Sequence, residues 1–140
     1  MKPTPVVAKR QPHILIVDDQ PQNRQLLEVM LSQEGFVLQT AARGDEALAL
    51  VAEQPPDLIL LDVMMPGMDG YQVTAKLKGN PATKHIPVML VTSLHDTNAK
   101  MLGQAAGVDD FLSRPVDRAE MVERVRSLLH LDPKPPLVRG

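Results

Sequence analysis

Cysteine and tryptophan are both absent from this 140-residue chain, and other aromatics are scarce. Without cysteine there can be neither a disulfide framework nor a thiolate metal centre, which suits a reducing cytoplasm. Tyr71, Phe36 and Phe111 are the whole aromatic set, so the core must be aliphatic, with 8 methionines available to fill gaps. A surplus of one charge is lacking too. The formal net charge is −2, and no basic face invites direct nucleic-acid binding. Arginines gather late, at Arg114, Arg118, Arg124 and Arg126, but interleaved acids make a solvated helix face of them. No apolar run approaches the roughly 20 residues of a membrane span. The basic N-terminus has no apolar stretch behind it, so it does not read as a secretory signal.

What is present is 44% apolar residues, enough for one compact domain to bury a core unaided. Prolines mark its limits. Pro3, Pro5 and Pro12 make residues 1–12 a loose arm, and Pro133, Pro135 and Pro136 make residues 131–140 a tail or linker. The domain proper is expected over 13–130.

Within it, short apolar runs alternate with helical patterns. Ile14-Leu-Ile-Val17, Leu58-Ile-Leu-Leu61 and Val88-Met-Leu-Val91 are continuous, as strands covered on both faces must be. Phe36 to Ala41 and Asp110 to Leu112 are weaker and fit edge strands. A first helix opens at Pro21, carries the stripe Leu26, Leu27, Met30 and Leu31, and stops at Gly35. Others are expected over Asp45 to Glu53 and Gly70 to Leu77, the latter ended by Gly79-Asn80-Pro81. A weak fourth, near Asn98 to Ala106, has only Met101, Leu102 and alanines to bury. In the last, Asp117 can cap with Glu120 three residues on, and Met121, Val122, Val125, Leu128 and Leu129 share a face. Strand and helix thus alternate five times. The implied fold is α/β: a doubly wound, five-stranded parallel sheet of flavodoxin-like order 2-1-3-4-5, with helices on both faces.

Ligands of such sheets bind beyond the carboxyl ends of the strands, where the strand order reverses. There the first strand ends in Asp18-Asp19, the third in Asp62 and the fourth in Thr92-Ser93, and Arg114 follows the fifth. Each piece alone has a plainer reading. An acidic pair before a helix usually caps it. A lone Asp at a strand end usually binds loop amides, and Met64, Met65 and Met68 read as gap-fillers. His13, His85, His95 and His130 lack ligand spacing. Together, however, the acids fall on neighbouring strands. Three crowded carboxylates must hold protons or a cation, and an all-oxygen site suits Mg²⁺, or Mn²⁺, rather than zinc. One carboxylate could then attack phosphorus, while Thr92 and Arg114 bind the product's oxygens.

At these residues the chain resembles the receiver domain of response regulators. The resemblance rests on Ile14-Leu-Ile-Val-Asp-Asp19, Leu60-Leu-Asp-Val-Met-Met-Pro-Gly-Met-Asp-Gly70, Val91-Thr-Ser93 and Phe111-Leu-Ser-Arg-Pro115, and it runs from about His13 to Leu129. It implies that Asp62 is the phosphoacceptor. Asp19, Asp62 and the Met64 backbone carbonyl would bind Mg²⁺ directly, with Asp18 helping through water. Thr92 and Phe111 would form a switch pair, and the bond before Pro115 would be cis. It implies a sensor histidine kinase or a histidine phosphotransfer protein as phosphoryl donor. An output domain or effector protein, and a homodimer through the fourth helix, fifth strand and fifth helix, are also within its scope. One position departs: the family has lysine where this chain has Arg114. A guanidinium is a rigid planar fork rather than a point charge. It can clamp phosphoryl oxygens, or pair with an acidic residue beforehand.

Two rival readings stand beside this one. A pseudo-receiver would be an interaction module that never carries phosphate, with Arg114 as its best argument. An aspartyl-nucleophile phosphatase would be an enzyme, and it needs a second acid and a substrate cap for which this length leaves little room.

Overall fold

The computed structural model describes residues 11–93 and 97–131. The expected arm and tail therefore fall almost wholly outside the described residues. Five strands, β1 (His13–Val17), β2 (Val37–Ala41), β3 (Leu58–Leu61), β4 (Val88–Thr92) and β5 (Asp110–Ser113), alternate with five helices. These are α1 (Pro21–Leu31), α2 (Gly44–Glu53), α3 (Gly70–Lys78), α4 (Thr97–Ala106) and α5 (Arg118–Leu128). All strand pairs are parallel, and the order is β2-β1-β3-β4-β5, as expected.

Alternation along each strand divides the core in two. Leu15, Val17, Ile59, Leu61, Val88 and Leu90 face Ala47 and Val51 of α2 and Val73 and Leu77 of α3. Ile14, Ile16, Leu58, Leu60, Met89 and Val91 face Leu27 and Leu31 of α1 and Met121, Val122 and Val125 of α5. Every residue of β1, β3 and β4 is buried, which is why these strands show no polar alternation in sequence. Each fully buried Leu or Ile contributes roughly 1.5–3 kcal/mol relative to an exposed one.

Two helices sit differently from expectation. The stripe on α1 is narrower, because Leu26 faces solvent while Leu27 and Leu31 are buried. On α4 the large side chains turn outward, Met101 60% and Leu102 46% exposed, and Ala99 and Gly103 make the buried seam. The seam is tight: a Cβ on Gly103 would lie 3.3 Å from Leu90 Cδ1 and 3.6 Å from Phe111 Cδ2. Small residues let the helix approach the sheet, and that outweighs the burial its bulkier residues would have gained.

Polar ties fix the remaining joints. Asp69 opens α3 with a reciprocal capping box to Gln72. At α5 Asp117 accepts the Glu120 amide, but the Glu120 carboxylate turns to Arg124 at 2.9 Å instead of returning to the cap. Lys78 Nζ donates to the carbonyls of Lys84 and Ile86 and to Asp109 Oδ2 at 2.9 Å, tying α3 to the approach to β5. No helix among the described residues is long and apolar enough to cross a membrane.

Candidate functional site

The register of the sheet places the acids. Val17 pairs with Leu61, so Asp18 and Asp62 emerge next to each other beyond β1 and β3. Backbone bonds extend both ladders by one step: Asp18 N–H donates to the Ala41 carbonyl at 3.1 Å and Asp62 N–H to that of Val17 at 3.0 Å. One oxygen each from Asp18, Asp19 and Asp62 lies within 4.8 Å of the others. Asp18 is completely enclosed and Asp62 is buried, while Asp19 is half-buried.

Their partners differ, and the differences matter. Asp62 Oδ1 accepts the Val63 amide at 2.9 Å, and the buried Thr92 hydroxyl hydrogen-bonds the same carboxylate. Burial raises the Asp62 pKa, and the nearby Asp18 charge raises it further. Arg114, the Val63 amide and Thr92 oppose the shift without cancelling it. A more basic carboxylate oxygen is also a better nucleophile once its charge is compensated. Asp19 Oδ1 is buried without any hydrogen-bond partner. Such an orphaned anionic oxygen is costly, and it faces a cluster of like charge. The donor set is hard and all-oxygen, so these residues fit a divalent cation of the Mg²⁺ type.

Arg114 joins the cluster, but through Asp18: Nη2 lies 2.6 Å from Asp18 Oδ2, with the Val91 carbonyl at 3.3 Å. The peptide bond from Arg114 to Pro115 is cis. Phe111 is not among the carboxylates; it is half-buried against the α2–α3 side of the core. Met64, two residues after Asp62, is 62% exposed.

Three neighbours of the acids, none of them a donor to a carboxylate through its side chain, were not apparent from sequence. Gln20 donates its backbone amide to Asp18 Oδ1 at 2.9 Å, and Arg24 Nη1 donates to the Asp18 carbonyl at 2.8 Å. Arg24 looks like any solvated helix charge, so no signal separated it. Gly70 passes directly behind the acceptor: a Cβ there would collide with the Asp62 carbonyl and lie 2.9 Å from Val63 Cα. Its place at the end of the long acidic motif was the available clue.

The concavity at the opposite end of the sheet is not a rival centre. A cleft of about 630 Å³ is lined there by Pro12, Asp57, His85, Pro87, Asp109 and His130, among others. Its acids already have structural work: Asp57 accepts the His13 amide, and Asp109 accepts the Val88 amide and Lys78.

Comparison with known proteins agrees with this geometry. The family model described as "Response regulator receiver domain" matches residues 14–126. Response regulator PleD of Caulobacter vibrioides is 50% identical over 115 residues, covering 82% of this chain and 25% of PleD. The chain thus spans about a quarter of that relative's length. Among solved structures, the signal receiver domain of a signal transduction histidine kinase from Syntrophus aciditrophicus superposes with TM-score 0.80 at 36% identity, covering 85% of this chain and 90% of that one. The receiver domain of sensor histidine kinase PA1611 from Pseudomonas aeruginosa, with a magnesium ion coordinated in its active-site cleft, gives TM-score 0.80 at 28% identity, covering 86% and 98%. From fold, site and relatives together, this chain belongs to the response regulator receiver domain family of two-component signalling.

Proposed function

We propose that Asp62 accepts a phosphoryl group from phosphohistidine of a sensor histidine kinase or phosphotransfer protein in the cytoplasm, and that the acidic cluster binds Mg²⁺ for the purpose. The observation that carries this reading is the convergence of Asp18, Asp19 and Asp62 around an orphaned Asp19 oxygen, with Thr92 bonded to the same Asp62. Asp19, Asp62 and the Met64 backbone carbonyl would hold the ion, and Asp18 would assist through water. Bound there, the ion supplies charge compensation for carboxylate and phosphoryl oxygens.

An Asp62 oxygen attacks phosphorus, the P–N bond breaks, and its electron pair stays on the imidazole, which takes a proton from solvent. The product carries about −1.5 to −2 charge and three strong acceptors. Thr92 then turns toward the phosphoryl oxygens, and Phe111 moves inward behind it. The change biases α4, β5 and α5, the face offered to an effector, an output domain or a second copy of the chain. The domain's chemistry is confined to its own phosphorylation and dephosphorylation. Its limits are proposed at 13–130.

Acetyl phosphate with Mg²⁺, followed by intact-mass measurement, tests the reading. One added phosphoryl mass is expected on the native chain and none on Asp62→Asn. A second reading, the pseudo-receiver, has one observation in its favour: Arg114 already occupies Asp18. A native chain left unmodified at millimolar Mg²⁺ would establish that reading instead.

A further inference from the structure

Asp18 is fully enclosed, and both of its oxygens are engaged. The Gln20 amide meets Oδ1 at 2.9 Å, and Arg114 Nη2 meets Oδ2 at 2.6 Å. The Arg114 side chain is itself only 16% exposed, and the Val91 carbonyl at 3.3 Å gives it a second acceptor. Its charge is felt as far as Asp62. Yet Asp18 also belongs to the three-carboxylate cluster, whose donor atoms lie within 4.8 Å of one another. On the metal reading of that cluster, Asp18 faces two cations, the tethered guanidinium and an exchangeable ion beside it. A divalent ion and a guanidinium crowded about one buried carboxylate repel strongly, because little water remains to screen them. A fork held by two acceptors also resists small adjustments that a flexible ammonium would make.

We propose that Arg114 is a built-in competitor of the divalent ion: its pair with Asp18 closes the pocket of the ion-free protein, and metal binding expels the guanidinium from that carboxylate. The inference rests on reading the acidic cluster as a metal site. It makes Arg114 a positioning residue that sets the metal concentration at which the domain becomes competent. One counter-ion replaces another, so Asp18 is never left buried and uncompensated. The released guanidinium is then free to reach the phosphoryl oxygens, a contact that its ion pair otherwise forgoes.

Calorimetric titration of the whole chain with Mn²⁺ tests the proposal in native protein, Arg114→Gln and Arg24→Gln. Arg24 is the control, since its guanidinium also sits at Asp18 but on the backbone carbonyl, at 2.8 Å. Removing it deletes a neighbouring positive charge without vacating the carboxylate. Arg114→Gln is expected to bind Mn²⁺ roughly tenfold more tightly, and Arg24→Gln within about twofold of native. Equal tightening in both variants would mean a general field effect and would overturn the competition, as would no tightening in Arg114→Gln. Absence of binding in all three proteins would sink the metal reading itself and this inference with it. If Arg114→Gln does not fold, native protein crystallised with Mn²⁺ decides. Nη2 is then expected beyond about 4 Å from Asp18 Oδ2, outside ion-pair range; a retained pair beside the bound ion overturns the proposal.

Discussion

Asp18 and Asp62 stand side by side at the ends of β1 and β3, and Asp62 bears the consequence: burial, and then the Asp18 charge, raise its pKa above the ordinary 3.8. An acid whose pKa rises on folding binds more protons folded than unfolded. Its favourable contribution is complete below the unfolded value and is lost as pH climbs through the folded one. Without metal, ionising Asp62 therefore weakens the fold. Asp62→Asn should melt higher than native protein at pH 7 in chelator, by on the order of 1 kcal/mol or a few degrees. The gap should close as pH falls below the ordinary carboxylate range. A gap of the same size in acid would assign the gain to shape rather than charge.

Metal should reverse that ranking. A ligand that binds only the folded state stabilises it by an amount set by its concentration over Kd, about 2.7 kcal/mol at a hundredfold excess. Mg²⁺ titrated into native protein should raise the melting temperature, and chelator should return it. The same titration of Asp62→Asn, which lacks one anionic donor, should give a much smaller rise. Matching rises in the two proteins would place the ion somewhere other than the acidic cluster.

Gly70 is constrained by backbone it cannot push aside. The added Cβ of Gly70→Ala would collide with the Asp62 carbonyl and press on Val63 Cα at 2.9 Å. Neither is the far end of a flexible side chain, so α3 or the loop after β3 must shift. Overpacking of this kind costs about 1–3 kcal/mol. Urea unfolding should show that loss, and phosphorylation by acetyl phosphate should slow because the carbonyl under pressure belongs to the acceptor residue. Full stability in the variant would mean the segment yields easily.

The uneven legibility of the sequence has a physical pattern. β1, β3 and β4 announce themselves because burial on both faces leaves no place for polar residues, and their order follows from parallel crossovers. Asp18, Asp19, Asp62 and Thr92 were legible because a residue at a strand end can only sit at that edge of the sheet. On α4 an alanine is buried as expected but Met101 and Leu102 are not, because apolarity predicts burial whereas close approach favours Ala99 and Gly103. Arg114 stands beside the acids, but its partner was not fixed by sequence. A long side chain at a crowded corner reaches several acceptors, and only the geometry selects Asp18. The Asp69 capping box has the spacing such caps require, with Gln72 three residues on, inside the same segment that carries Asp62.

Met64 bears on how long the phosphorylated state would last. Hydrolysis of an acyl phosphate requires a water held in line with the phosphorus, and side chains at the rim are what can hold it. Two residues beyond Asp62, Met64 is 62% exposed and has only a thioether to offer; Leu94, two beyond Thr92, lies outside the described residues. Decay of phosphorylated native protein should therefore take minutes or longer, and loss within seconds at neutral pH would contradict this. Met64→Gln supplies a donor and an acceptor at the same place and should speed decay, roughly threefold to tenfold. Met101→Gln alters a methionine of similar exposure, 60%, on α4 and should leave the rate unchanged. Following the phosphorylated mass over time in the three proteins separates a local effect on water from a general effect of polarity, and equal rates throughout would remove Met64 from the account of lifetime.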